Sequence, residues 1–259
     1  MPVPLSLKLG CVPSKYDART LLFGNYIRAA EAPPVPAIVD WARRVRDWRV
    51  YAGDRYGTAV PAALAHPSQT WAGAAGKPRL EITDEEILSA YSAMSGFDRR
   101  AGAHDEGCSI LQGLRMWRLE GHWGNRPLGY LRVDPRDLVH VLYAHWLCGG
   151  LIVAATMPLN AEQQLRAAQP WTAHVLPWGA AYPGSWGMHA FYVPRADTTG
   201  FDGITHGFRQ RMTRGWAALY WTEAWAVLSS DVLKALGEPP PGFDLERLQA
   251  DLHGVAPAL

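Results

Sequence analysis

The chain has 259 residues, 48% of them hydrophobic and 19% charged, enough apolar material to bury a substantial core in one domain or two closely packed lobes. Its 25 Lys+Arg balance 24 Asp+Glu for a formal net charge of +1. With no long like-charged run, this leaves no electrostatic footprint for nucleic acid or an anionic membrane and points to protein or small-molecule partners. Three cysteines, Cys11, Cys108 and Cys148, are too far apart in sequence for a disulfide framework or a zinc site, and no metal or cofactor is expected.

The first stretch, 1–38, reads as an extended N-terminal arm. Its prolines and polar residues replace the continuous apolar run of a secretory signal, and Pro33, Pro34 and Pro36 at its end favour a surface-running connector. The longest apolar run, "LIVAAT" at 151–156, is far below the roughly 20 residues of a membrane-spanning helix. Residues 39–259 form the domain proper, with a helical lobe over about 55–148, a β lobe over about 150–236 and a C-terminal tail over 237–259.

In the helical lobe, "TDEEILSAYSAMSGF" places Thr83 and Glu86 in a capping box, aligns Ile87, Tyr91 and Met94 on one face and stops at Gly96. The stretch "GCSILQGLRMWRLEGH" puts Ile110, Leu114 and Trp117 on a stripe. "DPRDLVHVLYAHWLCGG" predicts a helix with Asp134 as N-cap, Pro135 at the first helical position and paired glycines as its stop. After Gly150 the period changes. "LIVAAT", "MHAFYV" and "AWAVLS" are short β-branched or aromatic runs between turn residues, as in a twisted antiparallel sheet, and "LGEPPPGFDLERLQADL" closes the chain with a docked amphipathic helix. The fold class is therefore α+β.

This order of segments, with "KYDARTL" in the arm, "VDW" at the start of the domain, "DRYGTAVPAA" before the central helix, "GSWGMHA" in the β half and "GFDLERLQADL" at the end, resembles the papain-like cysteine peptidases. The likeness runs from about Leu7 to Leu252 and is to the short form found among bacteriophage and actinobacterial proteins. The resemblance implies a nucleophilic Cys opening a helix in one lobe and a His on a strand of the other. The logic is that a helix N-terminus and a facing imidazolium both stabilise a thiolate, lowering its pKa from about 8.5 to roughly 3 to 4.

Carried onto this chain, the resemblance puts Ala59 at the nucleophile, after Gly57 and Thr58, and His189 at the base. The side-chain amide that would donate to a developing oxyanion, typically worth ~3 kcal/mol, falls on Gly53. The residue that would orient the His falls at Ile204 or Thr205, with Asp202 close by. It also implies a cleft lined by Tyr56, Gly57, Thr58, Trp186 and Met188. The joint loss of nucleophile, oxyanion donor and orienting residue implies a pseudopeptidase acting as a binding or structural component with protein partners in a larger assembly. By family likeness that component is phage-encoded, in a virion or the host cytoplasm. The alternative is an active cysteine peptidase or isopeptidase in which Ala59 has been put in place of Cys.

Cys108, after "AHDEG", could be a helix-start nucleophile paired with His104 or His189, but acidic neighbours raise a thiol pKa and favour a buried structural role. His140 and His145 lie five apart, about 500° around a helix, and so are not a metal pair. Twelve tryptophans, three of them in "GWAALYWTEAWAVL", are expected mostly in the core, against a carbohydrate platform that would expose coplanar rings.

Overall fold

A computed structural model describes residues 6–174 and 178–254; the first five positions of the expected arm and the last five of the tail lie outside these. The first core is built on three helices. Helix α1 (Ala59–Ala74) is enclosed almost all round from Val60 to Ala72, its polar His66, Ser68, Gln69 and Thr70 included, which is why its sequence carries no amphipathic stripe. Helix α2 (Asp84–Ser95) opens with the capping box read from the sequence: Thr83 Oγ1 accepts from Glu86 N at 3.2 Å and Glu86 Oε2 accepts from Thr83 N at 2.7 Å. It ends at Gly96 in the left-handed region. Helix α3 (Ile110–Glu120) starts on Ser109, whose hydroxyl accepts from Gln112 N. Trp117 of α3 stacks flat on Trp71 of α1, 5.6 Å between centroids and 3° between planes, and both rings are buried.

The second lobe is a sheet of seven antiparallel strands: β1 (Ile38–Asp40), β2 (Gly129–Val133), β3 (Leu151–Met157), β4 (Gly187–Asp197), β5 (Gly200–Thr205), β6 (Phe208–Thr213) and β7 (Trp221–Leu228); Ile152, Ala154, Tyr192 and Trp225 on one face pack into the first core, and Leu151, Val153, Phe191 and Ala224 on the other into a second core. The order is β2-β7-β3-β4-β5-β6, with β1 paired to β4 off this path. The three apolar runs after Gly150 lie in β3, β4 and β7. One face of β4 packs on α1, so that helix is the shared wall of the two lobes.

Helix α4 (Leu138–Leu147) departs from the sequence reading in two ways. Its N-cap is Asp137, which accepts from His140 N at 3.0 Å, and not Asp134. Asp134 is spent on a turn, its carboxylate accepting from Arg136 N and its carbonyl from Asp137 N. Expected within the helical half, α4 instead buries Val141, Ala144 and Leu147 in the core of the sheet, alongside Leu131 and Val133 of β2. The cause is the Gly149–Gly150 turn: both glycines have positive φ (75° and 97°), and the chain reverses from α4 straight into β3.

Helices α5 (Leu159–Arg166), α6 (Arg214–Tyr220), α7 (Ser230–Leu236) and α8 (Leu245–Gly254) complete the structure. The tail helix α8 docks as expected: Asp251 accepts from Tyr26 Oη at 2.7 Å and Leu252 O from the Arg118 guanidinium at 2.6 Å. Among the described residues no helix is long and apolar enough to cross a membrane.

Candidate functional site between the lobes

Ala59 is the first residue of α1. The loop before it is tightly specified. Tyr51 and Ala52 both take left-handed backbone (φ 55° and 59°), and Thr58 turns its hydroxyl back to donate to Tyr51 O at 2.9 Å. Thr58 therefore makes no side-chain cap bond to α1. Asp105 holds the other side of the loop, accepting at one oxygen from Gly57 N at 2.7 Å and from Tyr91 Oη at 2.9 Å, while the Lys8 ammonium pairs with its second oxygen.

Across from α1, His189 sits on β4 opposite Ala155 of β3, and Thr205 ends β5. Their side chains meet, His189 Nε2 to Thr205 Oγ1, at 2.8 Å in a buried contact. Where the resemblance would put an orienting amide or carboxylate, this chain thus has the Thr205 hydroxyl. Asp202 does not serve it, being held in an ion network with Arg195, Arg209 and Arg211. Thr205 and Phe208 face each other across the two-residue turn His206–Gly207, both with positive φ (46° and 77°), the backbone of a type I′ hairpin. That turn lays the His206 ring flat on His189, 4.7 Å between centroids and 5° between planes.

A cavity of about 20 Å³, room for a water-sized group, lies between the lobes. Gly53, Thr58, Ala59, His66, His189, Thr205 and His206 line it together with Lys8. The four key positions read from the sequence, Gly53, Ala59, His189 and Thr205, are thus brought to one place. Of the expected cleft residues, Thr58 lines the cavity and Gly57 adjoins it. Trp186 packs toward His206 at 6.4 Å, and Met188 packs against the helical core. Tyr56 turns to Phe97 instead, 5.2 Å between rings, and does not line the cavity. His66 and His206 were not singled out from sequence. The His-Gly dipeptide after a β run is the available signal for His206, and nothing in the sequence sets His66 apart from its polar neighbours Ser68, Gln69 and Thr70 on α1.

Burial sets the electrostatics. His66 is pushed down to about 3 and His206 to about 4, and His189 falls well below its ordinary value, first through burial and then through repulsion from His206. All three imidazoles are therefore neutral near pH 7. The cysteines are no better placed to attack a peptide bond while they stay buried. Cys11, Cys108 and Cys148 are free and buried; burial drives Cys108 and Cys148 up to about 12 and Cys11 well above its ordinary value. Cys108, held protonated in the closed structure, is therefore no candidate for the peptidase nucleophile. His145 is buried and His140 pairs with Asp137, so these two form no metal pair; among the described residues no cluster of His, Cys, Asp or Glu could hold a metal ion.

The arm is the remaining component, and it crosses the site. Lys8 N donates to Gly53 O at 3.1 Å, and Val12 N donates to Cys108 O at 3.1 Å. Between them Leu9 packs with the second core and Cys11 with the first, so the segment is wedged between the lobes. Glycines make the approach possible. A Cβ on Gly10 would lie 2.1 Å from Gly57 O, and one on Gly107 2.3 Å from the Gly10 carbonyl carbon. Most tryptophans fill the cores as expected: eight of the twelve are buried, including Trp216, Trp221 and Trp225, and Trp178 is exposed.

No protein-family model and no curated protein matches the sequence. Solved structures do match in fold. Xylellain, a cysteine protease from Xylella fastidiosa, aligns with a TM-score of 0.63 at 14% identity over 86% of this chain and 96% of its own. Procathepsin B from Trypanosoma congolense gives 0.57 at 11% over 86% of each chain. The Carica candamarcensis cysteine protease CMS1MS2, solved in complex with E-64, gives 0.52 at 12% over 75% of this chain and 99% of its own. With helices against one antiparallel sheet, the chain has the papain-like fold of these cysteine proteases.

Proposed function

We propose that this chain binds an extended polypeptide between its lobes without hydrolysing it, as a pseudopeptidase component of a protein assembly. The observation that carries the reading is the composition of the cavity. The helix start presents a methyl group from Ala59, and Gly53, where an amide donor would stand, has no side chain. His189 is held by Thr205 as a buried neutral imidazole. A thiolate needs a cation or dipole to form and an oxyanion needs donors to be stabilised, so the site supports neither half of acyl transfer.

Binding is supported by the arm itself. Backbone bonds at Lys8 and Val12 and the wedge of Leu9 and Cys11 seat an extended segment across the cleft, the mode by which extended peptides are recognised. A protein partner would compete for that seat. Phage origin and a place in a virion are part of the same proposal and rest on the sequence resemblance alone. The test is to incubate the full chain and its His189→Ala variant with unfolded protein and a mixed peptide library. The expected result is no cleavage by either. Cleavage by the parent chain that His189→Ala removes overturns the reading in favour of a working hydrolase.

A further inference from the structure

The arm's crossing point carries chemistry of its own. Cys11 and Cys108 face each other as a parallel β-bridge, closed by the Val12 N to Cys108 O bond at 3.1 Å. Paired backbones lie about 4.8 Å apart, inside the roughly 4.4–6.8 Å Cα window of disulfides, and the side chains of bridge partners leave the backbone on the same side. Both thiols are free and buried in the first core, whereas Cys148 lies in the second. Cys11 is also sensitive to charge on Cys108, which places the sulfurs in each other's field.

We propose that Cys11 and Cys108 are a redox pair, forming a reversible disulfide that fastens the arm into the inter-lobe cleft. The oxidant is a low-molecular-weight disulfide. When the arm lifts, the thiolate of one cysteine attacks the small disulfide, forming a mixed disulfide and releasing one small thiol. As the arm reseats, the other cysteine attacks the protein sulfur of that mixed disulfide and releases the second small thiol. Two electrons pass from the cysteines to the reagent's S–S bond, and the two thiol protons end on the released thiols. A reducing milieu runs the exchange backwards and frees the arm. Because the buried thiols are pushed toward the protonated form, exchange waits on arm opening, and a formed link is shielded once the arm is seated.

The full chain is treated with oxidised glutathione, then denatured, alkylated and mapped by mass spectrometry without reduction. The expected result is loss of alkylation at both Cys11 and Cys108, a peptide linking them, and Cys148 still alkylated. Amide hydrogen exchange over Leu9–Val12 slows on oxidation and recovers with dithiothreitol. Cys11→Ser and Cys108→Ser each abolish that slowing, and Cys148→Ser keeps it. Glutathione adducts without a link, a link to Cys148, both thiols still alkylated, or arm exchange unchanged by the link each overturn the proposal. If a serine variant fails to fold, the reversible response of the parent chain decides.

Discussion

Placing a sulfur at the helix start is the most informative single change. In Ala59→Cys the new thiol would enter a cavity of about 20 Å³ beside three imidazoles that burial keeps neutral. Ala59 is itself only 6% exposed, so desolvation of a thiolate there works against the helix N-terminus. Without a ready imidazolium the thiol should titrate at or above about 8.5, leaving only about 3% thiolate at pH 7, where an activated cysteine of pKa 3 to 4 is fully ionised. Gly53 adds nothing at the oxyanion, a further loss of roughly 10²–10³ in acyl-transfer rate. The assay is alkylation by iodoacetamide across pH 4–10, followed by intact mass in Ala59→Cys and in its double variant with His189→Ala. The expected profile is one high midpoint, indifferent to His189. A midpoint below about 5 that disappears with His189 would refute the reasoning, because it would show an ion-pair site waiting only for its nucleophile.

Further outcomes follow from neighbouring contacts. Gly10→Val drives a side chain into Gly57 O, which a Cβ would already meet at 2.1 Å, at a typical overpacking cost of about 1–3 kcal/mol; hydrogen exchange over the arm should accelerate while that of α2 stays unchanged. Thr205→Val leaves the buried His189 Nε2 without its partner and should lower unfolding stability by about 1–3 kcal/mol in urea, with Thr205→Ser restoring most of it. Acid should destabilise the chain early. His145 and His206 are pushed from 6.5 to about 4, so between those values the unfolded chain binds protons the folded one refuses, and each costs roughly 3 kcal/mol of stability as pH falls from 7 to 4. Melting temperature should drop through that window, and His145→Gln should flatten the drop.

Local rules carried the sequence reading furthest where a signal is short in range. The Thr83/Glu86 box, the stripe of α3 and the apolar strands are set by neighbours a few residues apart, and all formed. Asp134 shows the limit: a side chain able to cap a helix or to close a turn reads the same in sequence, and here the turn won. The lobe to which α4 belongs was set by where the Gly149–Gly150 reversal sends the chain, a tertiary fact. In the site, Ala59, Gly53, His189 and Thr205 were found because a whole-chain resemblance ordered them. His66, His206, Asp105 and the Cys11–Cys108 pairing depend on contacts between distant segments that no periodicity encodes.

The central claim is that the cleft holds extended polypeptide and does not cut it. It is tested most directly by presenting a peptide library to the Gly10→Val variant, whose arm is loosened by the clash with Gly57 O, and reading retained peptides and cleavage products together by mass spectrometry. Peptides should be retained intact, at higher occupancy than on the parent chain, with no new termini. New termini whose appearance requires His189 would contradict it.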